Sequence, residues 1–449
     1  MMNKRQFLKT SGALVAGTIL PRSAFGEEQG APRTNWAGNL TYRARRLDLP
    51  RSVEEVQEIV KRGGRLKALG SRHSFNAIAD TTGDQISLKY LDQMTVDPKS
   101  RTVTVGGGVT YAQLGPYLDG QGFALRNLAS LPHISVAGAC ATATHGSGNN
   151  NGNLTTAVSA MEIVKADGEV VVLSRERDGD RFLGAAVHLG GIGIVTKVVL
   201  DVVPTFRMRQ VVYENLPMDR LENHLEEIFS GGYSVSLFTD WRNHRITQAW
   251  VKSRVEPGTV TEPAPEFFGA RRAITKLHPV QGHSAESSTE QMGIPGPWYE
   301  RLPHFRPDFV PSSGAELQTE YFVPRPRGWE AIRAVEELRD QVTPHLLVTE
   351  LRTIAPDDLW MSPCHQRPSM TIHFTWKPEW DAVRNILPLI EERLAPFDPR
   401  PHWAKLFTMP PSRLQRSYRK LPEYRALVEH YDPHGEFRNE FLDAHIYRS

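Results

Sequence analysis

The residues Gly70-Ser71-Arg72-His73-Ser74-Phe75-Asn76 put one imidazole and two hydroxyls into a loop that opens on glycine. A second stretch, from Ser130 to Gly148, carries Ser135, Gly138, Thr144, His145 and Gly146. Loops of this composition let backbone NH groups approach phosphate oxygens closely. Neither has the spacing of a Walker or dinucleotide-fold glycine motif, and such loops are often plain turns. Two of them with a histidine in each still make a candidate site. A third constellation lies near the C-terminus. Residues two apart on a strand share a face, so Glu350 and Arg352 project together, and so do His373 and Thr375. Charged side chains on an inner sheet face are costly unless paired or wet, which fits a polar pocket. A solvent-facing sheet with a neighbouring Glu-Arg pair fits the same pattern. Lys405 follows closely on His402.

Regular elements must place these groups. Ser52 and Glu55 form a capping box ahead of Val53, Val56, Ile59 and Val60 at helical spacing, and a strand over 65–69 runs into the first loop. Further strands are expected at 85–88, at 94–97 and 101–105 around Pro98, at 161–164 and 170–173 around Asp167-Gly168, and at 194–203. Tyr111, Leu114 and Leu118 mark a helix. This first domain is α+β and closes near residue 206. The region 255–314 is dense in Pro, Gly, Ser and His without periodicity, as in a long ordered excursion or lid. Then come a strand at 316–323, a helix through Trp329, Ile332, Val335 and Leu338, strands at 346–354 and 370–376, and a helix from Trp380 to Leu394. That order gives a sheet covered by helices on one side.

The length of 449 residues allows two or three domains, and 40% apolar with 23% charged residues is a globular composition. Lys plus Arg at 53 against Asp plus Glu at 51 nets +2, too balanced for a nucleic-acid or anionic-membrane partner. Cys140 and Cys364 stand alone and support neither a disulfide framework nor a zinc site. At the N-terminus, basic Lys4-Arg5, an apolar stretch over 12–20 and Ala24-Phe25-Gly26 form a signal peptide over 1–26. The stretch is far below the ~20 apolar residues that span a bilayer, so no transmembrane segment is expected. The order Asn3 to Lys9 resembles a twin-arginine signal with Lys4 at the first arginine, leaving twin-arginine or general secretory export to the periplasm or beyond.

Several of these motifs, in order, resemble the vanillyl-alcohol-oxidase (PCMH) type of flavoprotein, and within it the alditol oxidase and sugar-1,4-lactone oxidase branch. They are Gly70 to Asn76, Ser130-Leu131-Pro132-His133-Ile134-Ser135-Val136-Ala137-Gly138, Thr144-His145-Gly146-Ser147-Gly148, His402-Trp403-Ala404-Lys405 and Asp432-Pro433-His434-Gly435-Glu436-Phe437. The resemblance implies an FAD-binding domain over 36–206 and an α+β substrate domain over 207–449 whose C-terminal segment touches flavin. It implies a covalent flavin bond at His73. It also implies cofactor contacts from Gly70, Ser71, Arg72, Ser74, Ser130, Ser135, Gly138, Thr144, His145, Gly146, Gly148, Gly193, Ile194, Val195 and His402. Ser135, Glu350, Arg352, His373, Thr375 and Lys405 are implied to hold substrate, with Lys405, Glu350, Arg352 and His373 as the catalytic set. The expected reaction is oxidation of a polyol CH-OH with oxygen as acceptor. A sugar-1,4-lactone oxidase or dehydrogenase is the alternative, and a non-catalytic polyol-binding flavoprotein a distant third.

Overall fold

Ser52 starts the first helix as expected, its hydroxyl accepting from Glu55 N, and the helix Val53–Lys61 buries Val56, Ile59 and Val60. The reciprocal bond differs: the Glu55 carboxylate accepts from Arg51 N, one residue before the cap. This computed structural model describes residues 33–448 except 257, 259–261 and 309–314. The signal peptide read at 1–26 lies outside the described residues.

Residues 34–449 form one compact unit built around separate sheets. The helix lies beside a three-stranded sheet in which Asp84–Ile86 pairs in parallel with both Leu47–Asp48 and Leu66–Ala68. A five-stranded antiparallel sheet follows in the order Met94–Asp97, Thr102–Gly106, Ile194–Asp201, Val158–Val164, Val170–Ser174. The expected strand at 194–203 is interrupted at Val202, and Val203–Pro204 instead pairs with Phe123–Ala124.

From Arg207 onward the strands join one large antiparallel sheet. Its order is Glu266–Phe267, Ala270–Arg272, Arg207–Pro217, Arg245–Val255, Ser234–Thr239, Leu346–Ile354, Ser369–Trp376, Leu317–Pro324, Arg400–Pro401. One face carries the helices Arg220–Ser230, Gly328–Glu336 and Trp380–Leu394 and buries Leu237, Tyr321, Leu351, Ile372 and Phe374. This is the expected one-sided cover. The alternation that sends those residues to the helices sends their sequence neighbours to the opposite face, where the polar groups gather.

The last helices do not join that sheet. Leu414, Tyr418, Tyr424, Val428, Phe441 and Ile446 share one core with Val105, Met161 and Val198 of the five-stranded sheet. The C-terminal segment is thus packed into the N-terminal half. Cys140 and Cys364 are buried and free.

Candidate active site

A cavity of about 640 Å³ lies between the two Gly- and Ser-rich loops and the polar face of the large sheet. The loops meet at Ser135. Its NH donates to Ser71 Oγ at 3.2 Å, and a Cβ on Gly70 or Gly138 would come within 2.5 or 2.7 Å of Ser135 Oγ. Glycine at both positions lets Ser135 Oγ approach the backbone this closely. Arg72 takes a left-handed backbone (φ 63°), an uncommon conformation that turns the chain so that His73 faces the cavity. The His73 ring lies against Trp36, centroids 4.5 Å apart, and makes no hydrogen bond to the described residues. Burial, then His133 and Lys405, push its pKa down to about 3, so the imidazole is neutral with a free lone pair.

The sheet supplies the opposite wall through its register. Glu350 is paired with His373, and His373 with Glu320, so the three side chains stand in one row across neighbouring strands. One pleat away on the same face, Val348, Thr375 and Gln318 form a second row. Arg352 stands two residues beyond Glu350 on the same face. His402 and Lys405 enter from the segment after Arg400–Pro401, where His402 N donates to Glu320 O at 3.0 Å and Lys405 N to His402 O at 3.1 Å.

Charge is concentrated here on largely buried side chains. Glu320, 1% exposed, accepts from Arg352 Nη2 at 2.6 Å on Oε1 and from Lys405 Nζ at 2.7 Å on Oε2, and His145 Nε2 lies 3.3 Å from Oε1. Burial opposes ionisation of Glu320, but Lys405 and Arg352 outweigh it and hold the carboxyl well below its usual range. Glu350 is balanced in the same way, burial being overcome by Arg352 and His304. Burial lowers the Lys405 ammonium pKa against the opposing pull of Glu320. His373 is pushed down to about 4 by burial and Lys405, and neither of its ring nitrogens has a hydrogen-bond partner among the described residues. Arg352 Nε is likewise unsatisfied. Buried polar atoms without partners on a cavity wall are where a hydroxyl-bearing ligand gains most. His145, Glu320 and His402 bring possible metal ligands within 4.8 Å of one another, yet both Glu320 oxygens are engaged by cations that repel a metal ion.

Most residues expected at the site line this cavity: Gly70, Ser71, Arg72, His73, Ser74, Ser130, Ser135, Gly138, Thr144, His145, Gly193, Val195, Glu350, Arg352, His373, Thr375, His402 and Lys405. Three do not. Gly146 packs against Asn127 and Leu128, where a Cβ would meet Leu128 O at 2.3 Å. Gly148 donates to Thr353 O at 2.8 Å and stitches the loop to the large sheet. Ile194 points into the core with Val56, Ile59 and Leu66. Reading the sequence for chemistry missed Glu320, His304 and Lys252. Glu320 alternates with Gln318 on a strand and was open to the argument that found Glu350 and Arg352.

Comparison with known proteins accounts for the two walls. Residues 44–174 match the FAD binding domain model, and residues 315–445 match the D-arabinono-1,4-lactone oxidase model. The alditol oxidase of a Streptomyces species is 47% identical over 415 residues, covering 91% of this chain and 97% of that protein. The chain belongs to the alditol oxidase and sugar-lactone oxidase branch of the vanillyl-alcohol-oxidase-type flavoproteins. An L-gulono-1,4-lactone dehydrogenase of Mycobacterium tuberculosis is 28% identical over 91% of the chain and 97% of its own length. In fold, a cholesterol oxidase from B. sterolicum superposes with a TM-score of 0.72 at 14% identity, over 92% of this chain and 96% of that one. This flavoprotein oxidase uses FAD, and the cavity fits it. The close-packed loops 70–75 and 130–145 can hold the cofactor. His402 Nδ1 accepts from Ala404 N at 3.1 Å, which leaves the Nε2 proton of the neutral ring for the cavity side.

Two outcomes follow from the charge balance. Glu320→Gln leaves the Arg352 and Lys405 cations buried without their shared carboxylate, and the variant should lose about 3–5 kcal/mol in denaturant unfolding. Acid should act in two stages. His304 and His373, at about 4 in the fold, titrate near 6.5 once unfolded, so the unfolded chain binds more protons between those values. Stability present above about pH 6.5 is lost as pH falls toward 4. A further loss comes below the unfolded carboxylate range near ~4.3, because Glu320 and Glu350 are depressed in the fold. Melting temperature measured against pH should decline in both windows.

Proposed function

We propose that this flavoenzyme oxidises a carbinol carbon of an open-chain polyol to the carbonyl, with oxygen as electron acceptor and hydrogen peroxide as product. The observation that carries the proposal is the row Glu350, His373, Glu320 with Arg352 and Thr375 on one wall. It is a run of donors and acceptors suited to successive hydroxyls, facing the loops that hold FAD. The high identity to a Streptomyces alditol oxidase supports the same substrate class. The lactone reading has support from the match at 315–445 and from the lactone dehydrogenase, which is the more distant of the two relatives quoted.

FAD, when bound, supplies the hydride acceptor and passes electrons to oxygen. The chain's own work is binding and orientation. Lys405, fixed by Glu320 at 2.7 Å, donates to the oxygen at the reacting carbon. Arg352 Nε and Glu350 Oε2 hold hydroxyls further along, the first as donor and the second as acceptor. His373, neutral and unpartnered, offers the reacting hydroxyl an acceptor. We further propose that His73 bears the flavin covalently, since a neutral imidazole with an unengaged nitrogen is the form able to make that bond. The basic and apolar pattern over 1–26 supports a reading in which the protein is exported, where a cofactor that cannot be lost is an advantage.

Oxygen uptake and peroxide yield with xylitol, sorbitol, glycerol and galactono-1,4-lactone test the reading. Turnover of the polyols with stoichiometric peroxide is expected, while turnover of the lactone alone moves the assignment to the lactone oxidases. His73→Ala should release its flavin into acid supernatant, where the parent protein keeps it. Lys405→Met should retain flavin but reduce it about 10²–10³-fold more slowly in rapid mixing with xylitol.

A further inference from the structure

Two buried side chains that the mechanism has not used stand directly behind Glu350. Lys252 is 1% exposed and lies on Arg245–Val255, on the same face of the large sheet as Trp250, Ser236 and Arg352. His304, 5% exposed, comes from the irregular excursion that covers this half of the sheet. The His304 backbone is fixed to a flavin-side loop, its NH donating to Ser130 O at 3.1 Å. Its ring sits edge-on to Phe238 and Trp250, with centroids 5.6 and 5.1 Å away. These contacts leave the imidazole little freedom to turn.

The hydrogen bonds run in one direction. Lys252 Nζ donates to the carbonyl of Leu302 and to His304 Nδ1, the latter at 3.0 Å. The Glu350 carboxylate, ionised in the fold, can only accept, so in the neutral ring the single proton is on Nε2 and Nδ1 is the acceptor for Lys252. Burial, then Lys252, keep the ring neutral, its pKa pushed down to about 4. Nε2 therefore donates to Glu350 Oε1 at 2.7 Å, with Ser236 Oγ at a marginal 3.5 Å. Glu350 then has one oxygen engaged and one turned to the cavity. Oε2 stands 3.6 Å from both Arg352 Nε and His373 Nδ1, too far for a hydrogen bond to either. These three polar atoms form a subsite with a single strong acceptor between two nitrogens.

We propose that His304, anchored at Nδ1 by Lys252, is a positioning residue that turns Glu350 Oε2 toward substrate and so sets a preference for polyols with hydroxyls remote from the reacting carbon. The inference rests on the polyol reading above. It gives the segment that carries His304 a role in selecting chain length. A short substrate such as glycerol reaches Lys405 and His373 but lacks the outer hydroxyls of xylitol, so disorder at Glu350 should weaken xylitol more.

The test uses FAD-loaded protein reduced anaerobically by xylitol or glycerol over a range of concentrations, which gives a limiting rate and a Kd for each. His304→Leu should lower the preference for xylitol over glycerol roughly 10- to 100-fold, chiefly through the xylitol Kd, as expected for losing one hydrogen bond to a charged group. His304→Gln places an amide NH at similar reach and should restore most of that preference. Lys252→Met removes the hydrogen bond that holds His304 Nδ1 and should lower the preference even where His304→Leu protein cannot be purified. An unchanged preference in the Leu and Met variants, or an equal loss for both substrates with no rescue by Gln, overturns the proposal. Failure of either polyol to reduce the parent flavin overturns the polyol reading itself, seen before any variant is made.

Discussion

A carboxylate removed from water stays ionised only if cations replace the lost solvation, and Glu320 is where this chain meets that constraint. Its two oxygens take Arg352 and Lys405 from different segments, at 2.6 and 2.7 Å. Lys405 depends on this one anion, while Arg352 shares it with Glu350. Remove the Glu320 carboxylate and Lys405 would be left uncompensated with Arg352 facing Glu350 alone, and the residues that meet substrate would lose their common anchor. Glu350 lies beside it, balanced by the Arg352 cation and by a hydrogen bond from a neutral histidine outside the sheet. The polar wall is thus a lattice whose members fix one another, which is how a site gains preorganised geometry.

The large sheet makes that lattice possible because antiparallel register converts alternation along strands into rows across them. Leu351, Ile372 and Tyr321 meet the helices and give the sheet its core, while Glu350, His373 and Glu320 are forced to the opposite face in one line. The facing wall comes from loops whose glycines admit Ser135 between them. Helices from the C-terminal end lock into the core of the five-stranded sheet, so both ends of the chain support the cofactor half. Packing and chemistry therefore share the same strands: a one-residue slip of register would exchange the two faces at once.

Much of this was legible in sequence, for identifiable reasons. Strand alternation alone put Glu350 with Arg352 and His373 with Thr375, and the structure brings all four to one wall. The strand 346–354 and the helix 380–394 coincide with their observed limits because hydrophobic periodicity there is strong. Glu320 obeys the same rule, but a single acid two residues from Gln318 on one strand carries no pair signature. His304 and Lys252 were hidden for different reasons. The first lies in a segment without periodicity, and the second occupies a strand position that, on alternation alone, is as well suited to solvent. Gly146, Gly148 and Ile194 show the converse: a motif held together by sequence can divide its members among a packing contact, a strand bridge and a core.

The decisive measurement is a crystal structure of the FAD-loaded protein, reduced and soaked with xylitol. The polyol chain should lie along the Glu350, His373 and Glu320 row, its terminal oxygen within hydrogen-bond distance of Lys405 Nζ and an outer hydroxyl on Glu350 Oε2 and Arg352 Nε. A polyol bound elsewhere in the cavity, or Glu320 released from Arg352 and Lys405 to bind it directly, would show that the buried ion lattice does not position substrate.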